Sequence, residues 1–143
     1  MMITMSKDEI FKELKKAGYR ITKHRVLIIE FVAGRRDHPS ARNIYNNIKG
    51  YDQRISLATV YNTLNMLVKI SILKEIDFED SDNRYDTNLT PHLNLVCTSC
   101  GTIVDYEYEL PVSPKTIQAQ NGFMAQDYRL EYRGLCRRCQ KQR

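Results

Sequence analysis

The sequence contains no long apolar run, and this absence excludes membrane-spanning proteins. Of its 143 residues, 42% are hydrophobic and 27% are charged, and nowhere do 18 apolar residues follow one another. A helix that crosses a bilayer needs about 20 such residues, so no membrane span is predicted. The first nine residues also lack the basic-then-apolar order of a signal peptide. We therefore expect a cytoplasmic protein with no membrane partner, in a compartment that keeps thiols reduced.

Several patterns of enzymes and of repeat proteins are also missing. The sequence has no internal repeat, no low-complexity tract, no glycine-rich phosphate loop and no ordered Ser-His-Asp set. Its length fits one compact domain or two small ones. We therefore do not expect an enzyme, and a zinc hydrolase or a dithiol oxidoreductase is kept only as an alternative.

Charge is distributed unevenly along the chain, whose formal charge is +5. Residues 1–70 hold 13 Lys and Arg against 6 Asp and Glu, residues 71–110 hold 2 against 9, and residues 111–143 hold 7 against 2. A basic first half suits a polyanion such as DNA or RNA, although a merely solvated basic surface would give the same pattern. The acidic middle suits a cation rather than phosphate.

Four helices are predicted in the first half, because four cap residues each precede apolar residues at helical spacing. Ser6 and Glu9 also have the spacing of a capping box. The caps are Ser6, Thr22, Ser40 and Ser56. The predicted buried stripes are Ile10, Leu14 and Ala17; Val26, Ile29 and Ala33; Ile44 and Ile48; and Val60, Leu64 and Leu67.

A β-hairpin is predicted directly after these helices. Residues 72–78 and 84–87 resemble strands, and residues 79–83 form a polar turn between them. Helices that end in such a hairpin describe a winged helix, which places one helix in the major groove of DNA.

The second half is predicted to contain strands over 93–97, 102–108 and 128–134, with a helix between Pro114 and Gly122. The fold class is therefore α+β, and the predicted domains are residues 1–88 and 89–143.

Two C-x2-C knuckles carry the strongest chemical signal in the sequence. Cys97 and Cys100 form the first, and Cys136 and Cys139 form the second. Four thiolates can close a tetrahedron around Zn²⁺, and the two-residue spacing lets both sulfurs of a knuckle face one ion. Disulfides are disfavoured in a reducing compartment, and a redox dithiol usually occurs once, in a thioredoxin-like pattern that is missing here. We predict a structural zinc ion, since four thiolates leave no open position for catalysis.

The fourth predicted helix has two chemically different faces. Its buried stripe is aliphatic, whereas the opposite face carries small and amide side chains that can meet base edges and thymine methyls. An ordinary polar helix surface would show the same pattern. The candidate DNA-binding residues are Ser56, Ala58, Thr59, Tyr61, Asn62 and Asn65, with Arg20 as a phosphate contact.

Taken together, these motifs resemble the ferric uptake regulator family. The resemblance covers roughly residues 6–140 and rests on GYRIT at 18–22, SLATVYNTL at 56–64, RYD at 84–86, and His92 ahead of the two knuckles. It implies a winged-helix DNA-binding domain joined to an α/β dimerisation domain. It also implies a homodimer that binds palindromic operators when a regulatory metal is present, with Arg20 and Tyr61 in contact with DNA.

The resemblance further implies a second metal site, for which the residues alone offer only scattered candidate ligands. In the peroxide-sensing branch of the family, three His and two Asp hold a regulatory ion, and His38, Asp86, His92 and Asp105 match four of these positions. Asn94 stands at the fifth, where the family usually has His. Its amide oxygen is a weaker, neutral ligand. An oxygen-rich set suits Fe²⁺ or Mn²⁺, although Zn²⁺ can still bind.

A regulatory mechanism follows from the resemblance. His38 and Asp86 belong to the first domain, and His92 and Asp105 belong to the second, so a bound metal would hold the DNA-competent arrangement. In the peroxide-sensing branch, bound Fe²⁺ reacts with hydrogen peroxide, the histidines matching His38 and His92 are oxidised, and DNA is released. We therefore expect a peroxide-sensing repressor. Iron, manganese and zinc regulators of the same family stay open, as does a zinc-stabilised interaction module that does not bind DNA.

Overall fold

The computed structural model describes residues 4–77, 82–126 and 128–141, which divide into two compact units. The N-terminal unit extends to Leu89 and the C-terminal unit begins at Thr90, so the division falls one residue after the predicted boundary. The N-terminal unit is mostly helical, and the C-terminal unit is built on a sheet.

Four helices form most of the N-terminal unit, and each begins directly after its predicted cap. They are α1 over Lys7–Lys16, α2 over Lys23–Val32, α3 over Ala41–Ile48 and α4 over Leu57–Lys69. Each cap side chain accepts the backbone N–H three residues later, which satisfies a donor that the first turn would leave unpaired. The two-way capping box forms at Ser40 with Asn43, not at the predicted Ser6, whose Oγ accepts the N–H of Glu9.

The helices pack around one aliphatic core. The predicted stripes of α3 and α4 are buried. In α2, Ile29 is buried as predicted, but Val26 and Ala33 lie half-buried, and Ile28 and Val32 are buried in their place. Residues 26–29 are all apolar, so the sequence allows two rotations of the helix, and contacts with the other helices select one. Ala17 lies exposed at the end of α1, contrary to the prediction.

A two-stranded antiparallel wing follows α4. β1 spans Lys74–Ile76 and β2 spans Arg84–Asp86, with Glu75 opposite Tyr85. The winged helix expected from the sequence is therefore present. The predicted turn over 79–83 falls partly outside the described residues.

The C-terminal unit is a three-stranded sheet with two short helices. Its elements are β3 over His92–Cys97, β4 over Ile103–Glu107, α5 over Pro114–Asn121, β5 over Glu131–Gly134 and α6 over Arg137–Gln140. The sheet order is β4-β3-β5, in which β4 is antiparallel and β5 parallel to β3. Parallel neighbours need a long connection, and α5 lies within it. The predicted strands and helix are all present; β3 begins one residue earlier than predicted, whereas β4 and β5 are shorter than predicted.

This second unit leaves one face of its sheet uncovered. Leu95 lies opposite Val104 on one side and Tyr132 on the other, and all three side chains are exposed, Tyr132 by 70%. No residue of α5 is buried among those that the structure describes. The unit therefore presents an apolar surface formed by neighbouring strands.

Within the described ranges, no helix combines the length and the apolar character that crossing a bilayer requires.

Candidate metal centres

The first cysteine knuckle forms where β3 turns toward β4. Cys97 is the last residue of β3, and its N–H donates to the carbonyl of Thr102 at 2.9 Å. Gly101 closes the turn with a φ of 76°, a left-handed conformation that glycine adopts without steric cost. The turn thereby brings Cys100 back beside Cys97.

The second knuckle forms at the start of α6. Cys136 is the residue that precedes this helix, and Cys139 lies buried within it. The backbone N–H of Cys136 donates to Cys97 Sγ at 3.3 Å. Since β5 pairs directly with β3 and leads into α6, the sheet itself brings the two knuckles together.

The four thiols form one cluster with dimensions that fit zinc. All four cysteines are free, and their sulfur atoms lie within 4.8 Å of one another. A tetrahedron with Zn–S distances of ~2.3 Å has sulfur–sulfur edges of about 3.8 Å. Cys100 Sγ lies 3.8 Å from Cys136 Sγ. The cluster is therefore a zinc site by ligand type, number and spacing.

Hydrogen bonds favour the thiolate form at the first knuckle. The side chain of Thr102, followed by its backbone N–H, lowers the pKa of Cys100 to about 6. The backbone N–H of Cys100, followed by that of Cys136, lowers the pKa of Cys97. Because the thiolate is the ligand form of cysteine, these donors prepare the knuckle for a cation.

A buried His–Asp pair occupies the N-terminal unit. His38 Nε2 lies 3.7 Å from Asp86 Oδ1, and both residues are 2% exposed. Asp86 is the last residue of β2, and its Oδ1 accepts the N–H of Asn88 at 2.9 Å. His38 has a φ of 50°, a left-handed conformation that costs a non-glycine residue roughly 1–3 kcal/mol. Such strain in a buried, polar position is typical of functional sites.

A second His–Asp pair lies on the sheet of the C-terminal unit. His92 Nε2 lies 3.6 Å from Asp105 Oδ1. His92 Nδ1 lies 2.7 Å from the carbonyl oxygen of Thr90, which can only accept, so Nδ1 carries a proton. This arrangement is the one that metal-binding histidines usually show, because it directs the Nε2 lone pair toward the ion. A lone pair that faces a carboxylate is unfavourable unless a cation, either a proton or a metal, lies there.

Asn94 completes this half of the predicted ligand set. It lies on the same side of β3 as His92, two residues away, and directly opposite Asp105 in the strand register. Its Oδ1 is buried and finds no hydrogen-bond donor among the described residues. A buried acceptor without a donor costs free energy, and a cation would satisfy it. The residues of the C-terminal unit therefore fit a metal ion with nitrogen and oxygen ligands.

The candidate DNA-binding residues all belong to the N-terminal unit, and most of them are exposed. Ala58, Asn62 and Asn65 are exposed on α4, and Arg20 is exposed in the loop before α2. Thr59 and Tyr61 are half-buried beside them. The Oγ of Ser56 accepts the N–H of Thr59 at 3.1 Å, so Ser56 caps the helix.

A cluster of charged side chains surrounds Asp52, and the sequence alone did not predict it. Asp52 Oδ2 lies 3.2 Å from His24 Nε2 and 3.5 Å from Lys23 Nζ, while its Oδ1 accepts the N–H of Arg54 at 3.0 Å. The bond from Arg54 is the main reason that the pKa of Asp52 falls to about 2. The cluster joins the start of α2 to the loop that precedes α4. Nothing in the local sequence signals it, because His24 and Asp52 are 28 residues apart.

Arg84 was likewise not singled out as a functional residue. Its guanidinium donates to the backbone carbonyls of Asp37 and His38, and burial lowers its pKa. The contact connects the wing to the loop that holds one of the predicted ligands.

The fold, the cysteine cluster and the two His–Asp pairs can be compared with known proteins. The sequence profile of the ferric uptake regulator family matches residues 16–133, most of the chain. This protein belongs to the ferric uptake regulator family. The family, the winged-helix α+β fold and the zinc cofactor inferred from the sequence are thereby confirmed.

Named members of the family resemble the chain over nearly its full length. The peroxide-responsive repressor PerR of Staphylococcus aureus is 35% identical over 134 residues, which are 93% of this chain and 90% of the relative. The peroxide stress regulator of Campylobacter jejuni matches with a TM-score of 0.68 and 26% identity, over 92% of this chain and 97% of that one. The Helicobacter pylori ferric uptake regulator matches with a TM-score of 0.74, covering 98% and 97%, and at 22% identity it supports the fold alone.

Proposed function

We propose that this chain is a metal-dependent DNA-binding transcriptional repressor that senses peroxide. In this proposal it acts as a homodimer on palindromic operators. The observation that carries the proposal is the pair of His–Asp sites, His38 with Asp86 and His92 with Asp105, in a chain of this family. The 35% identity to a peroxide-responsive repressor supports the choice of signal.

Helix α4 is the proposed DNA-recognition helix. Its aliphatic side is fixed in the core, so its opposite side faces solvent with a defined orientation. Exposed amides can accept from and donate to base edges, and the methyl group of Ala58 suits the thymine methyl. The proposed base and phosphate contacts are Ser56, Ala58, Thr59, Tyr61, Asn62, Asn65 and Arg20, with Ser56 acting through its place at the helix N-terminus.

The zinc site has a structural role in this proposal. Cys97, Cys100, Cys136 and Cys139 hold the end of β3 to the start of α6, which are the beginning and the end of the C-terminal unit. Four thiolates complete the coordination of Zn²⁺, so no position is open for a substrate or a signal.

The regulatory ion is proposed to bind at His38, Asp86, His92, Asn94 and Asp105. Two imidazoles and three oxygen ligands form a set suited to Fe²⁺ or Mn²⁺. An ion that binds the DNA-competent state more tightly shifts the population toward that state. To change the ratio of the DNA-competent state to the other state from 1:99 to 99:1, the ion must bind the competent state more tightly by about 5.5 kcal/mol.

Bound Fe²⁺ supplies the reaction with hydrogen peroxide in this proposal. His38 and His92 are then the side chains that gain oxygen and cease to be good ligands. Loss of these ligands would lower the affinity for the ion and release the DNA.

Dimer formation is proposed for the C-terminal unit. The uncovered face defined by Leu95, Val104 and Tyr132 has neighbouring apolar side chains on three strands. Exposed apolar patches of this kind mark interaction sites. In a symmetric dimer, the same face of each copy would cover that of the other.

A metal titration of DNA binding tests the proposal. Zinc-loaded protein is titrated with Fe²⁺, Mn²⁺ or Zn²⁺ in the presence of palindromic DNA, and the Fe²⁺ and Mn²⁺ samples are then treated with peroxide. We expect Fe²⁺ and Mn²⁺ to strengthen binding, and peroxide to release only the Fe²⁺ protein. Mass spectrometry should then find an added oxygen in a peptide containing His38 or His92. Fe²⁺ protein that stays bound and unmodified would exclude peroxide sensing.

A manganese-responsive regulator of the same family is the second candidate. Asn94 favours it, because an amide oxygen in place of an imidazole makes the ligand set harder. The same titration separates the two candidates, since peroxide would release the Fe²⁺-loaded protein from DNA only if the chain is a peroxide sensor.

A further inference from the structure

Arg84 binds the backbone of the loop that carries His38. Its Nε donates to the carbonyl oxygen of His38, and its Nη2 donates to that of Asp37 at 3.2 Å. A planar guanidinium presents these donors in a fixed fork, so one side chain holds two successive carbonyls. The flexible ammonium group of lysine does not fix two acceptors in the same geometry.

The backbone that Arg84 holds is unusual. His38 has a φ of 50°, in the left-handed region that residues other than glycine seldom adopt. It also precedes Pro39, and a following proline restricts the backbone further. Conformations of this kind persist only where the surroundings over-determine them. The two bonds from Arg84 are part of those surroundings.

Strand β2 contacts the His38 loop through three successive residues. Arg84 binds the carbonyls, the N–H of Tyr85 donates to the carbonyl of Pro39 at 3.0 Å, and Asp86 Oδ1 lies 3.7 Å from His38 Nε2. The same strand therefore fixes the backbone of His38 and supplies the carboxylate beside its ring.

We infer that Arg84 is a positioning residue for the metal ligand His38, because its two bonds stabilise the left-handed backbone that keeps the imidazole beside Asp86. The inference rests on the proposed regulatory site. Since Arg84 belongs to the wing, it also links the geometry of that ligand to the position of β2.

The test compares two arginine-to-lysine variants within the N-terminal unit. Arg84→Lys retains the positive charge and removes the planar guanidinium that donates to both carbonyls. Arg42→Lys is the matched control, because Arg42 Nε lies 3.1 Å from Asp82 Oδ2, a contact with the residues just before β2. Binding of Mn²⁺ to zinc-loaded protein is measured by calorimetry. We expect Arg84→Lys to weaken Mn²⁺ binding by about 10- to 100-fold, as loss of a ligand-orienting contact does, and Arg42→Lys to stay within about twofold.

Two further readouts separate positioning from a general folding defect. Arg84→Lys should remain folded as zinc-loaded, Mn²⁺-free protein and reach full DNA binding at saturating Mn²⁺. The amide of Tyr85 should exchange faster in that Mn²⁺-free state. A merely structural role would lower the maximal DNA binding without changing the affinity for Mn²⁺. Arg84→Gln replaces the lysine variant if the latter does not fold.

The outcomes also distinguish this inference from the proposed function. Unchanged Mn²⁺ affinity in a folded Arg84 variant would overturn the inference alone. Wild-type protein that binds no Mn²⁺ beyond its zinc would overturn the proposed regulatory site and the inference together.

Discussion

The two units of the chain rely on different sources of stability. In the described part of the N-terminal unit, 16 buried residues form the core, with contributions from all four helices and the wing. In the described part of the C-terminal unit, the buried apolar residues are Leu93, Val96, Cys97, Ile103 and Cys139, two of which are zinc ligands. Hydrophobic burial can therefore stabilise the N-terminal unit by itself, whereas we expect the C-terminal unit to depend on its zinc ion and on burial of its exposed sheet face.

Removal of zinc should have the largest effect and should be confined to one unit. Cys136→Ser, or treatment with a chelator, is expected to unfold the C-terminal unit, because metal binding supplies the folding free energy of sites that are poorly stabilised by a core. Hydrogen exchange measured by NMR should show loss of protection from Thr90 onward and retention in α1–α4.

Gln118→Ala is the control, since Gln118 is exposed on α5 of the same unit and is not a proposed ligand. Equal loss of protection in both units would contradict the difference between them.

Truncation of the N-terminal core should have the next largest effect. Leu64→Ala removes a fully buried side chain of α4, and we expect the free energy of unfolding to fall by roughly 2–5 kcal/mol. Urea unfolding followed by helical circular dichroism measures this. Asn62→Ala, on the exposed side of the same helix, should change the value by less than about 0.5 kcal/mol. Comparable losses in the two variants would show that the core does not carry the stability.

A charge on the uncovered sheet should weaken the proposed dimer. Tyr132→Glu is expected to raise the dimer dissociation constant at least about 30-fold, the equivalent of ~2 kcal/mol at an interface anchor. Analytical ultracentrifugation measures the constant. Tyr51→Glu is the control, because Tyr51 is also highly exposed but belongs to the N-terminal unit. A dimer that tolerates Tyr132→Glu would place the interface elsewhere.

The smallest expected effect is on the stability of the N-terminal unit at low pH, to which the Asp52 cluster contributes. The N–H of Arg54 is the main cause that lowers the pKa of Asp52 from 3.8 to about 2 in the folded state. The ionised carboxylate therefore stabilises the N-terminal unit above about pH 4, and this contribution is lost as the pH falls toward about 2. Asp52→Asn should be less stable than wild type at pH 5, and the difference should shrink below pH 4.

Urea midpoints of the helical signal between pH 5 and pH 2 give the comparison. Asn62→Ala, which replaces a non-ionisable side chain exposed on α4, should follow the wild-type pH dependence. A difference between Asp52→Asn and wild type that does not change with pH would show that the carboxylate acts through its shape and not its charge.

Local chemistry explains which features could be predicted from the sequence. A cap residue acts on a backbone N–H three positions away, so Thr22, Ser40 and Ser56 marked their helices correctly. The cysteine spacing is likewise a local property, and Gly101 adopts the left-handed turn that the first knuckle requires.

Features that depend on distant contacts were not predictable in the same way. The rotation of α2 about its axis is decided by packing, because the four consecutive apolar residues 26–29 point to all sides of the helix. Asp52 meets His24 across 28 residues, and Arg84 meets His38 across 46. The predicted regulatory ligands came from resemblance to the family, because single His and Asp residues have no spacing that identifies them as partners.

The most direct test of the proposed function is the effect of Mn²⁺ on DNA affinity in zinc-loaded protein. Fluorescence anisotropy with a palindromic duplex should show binding about 5- to 150-fold tighter with Mn²⁺, the usual range for coupling between two sites. His92→Ala should lose this gain while native mass spectrometry still finds one zinc per chain. Equal affinity with and without Mn²⁺ in the wild type, or an undiminished gain in His92→Ala, would contradict metal-dependent repression through this site.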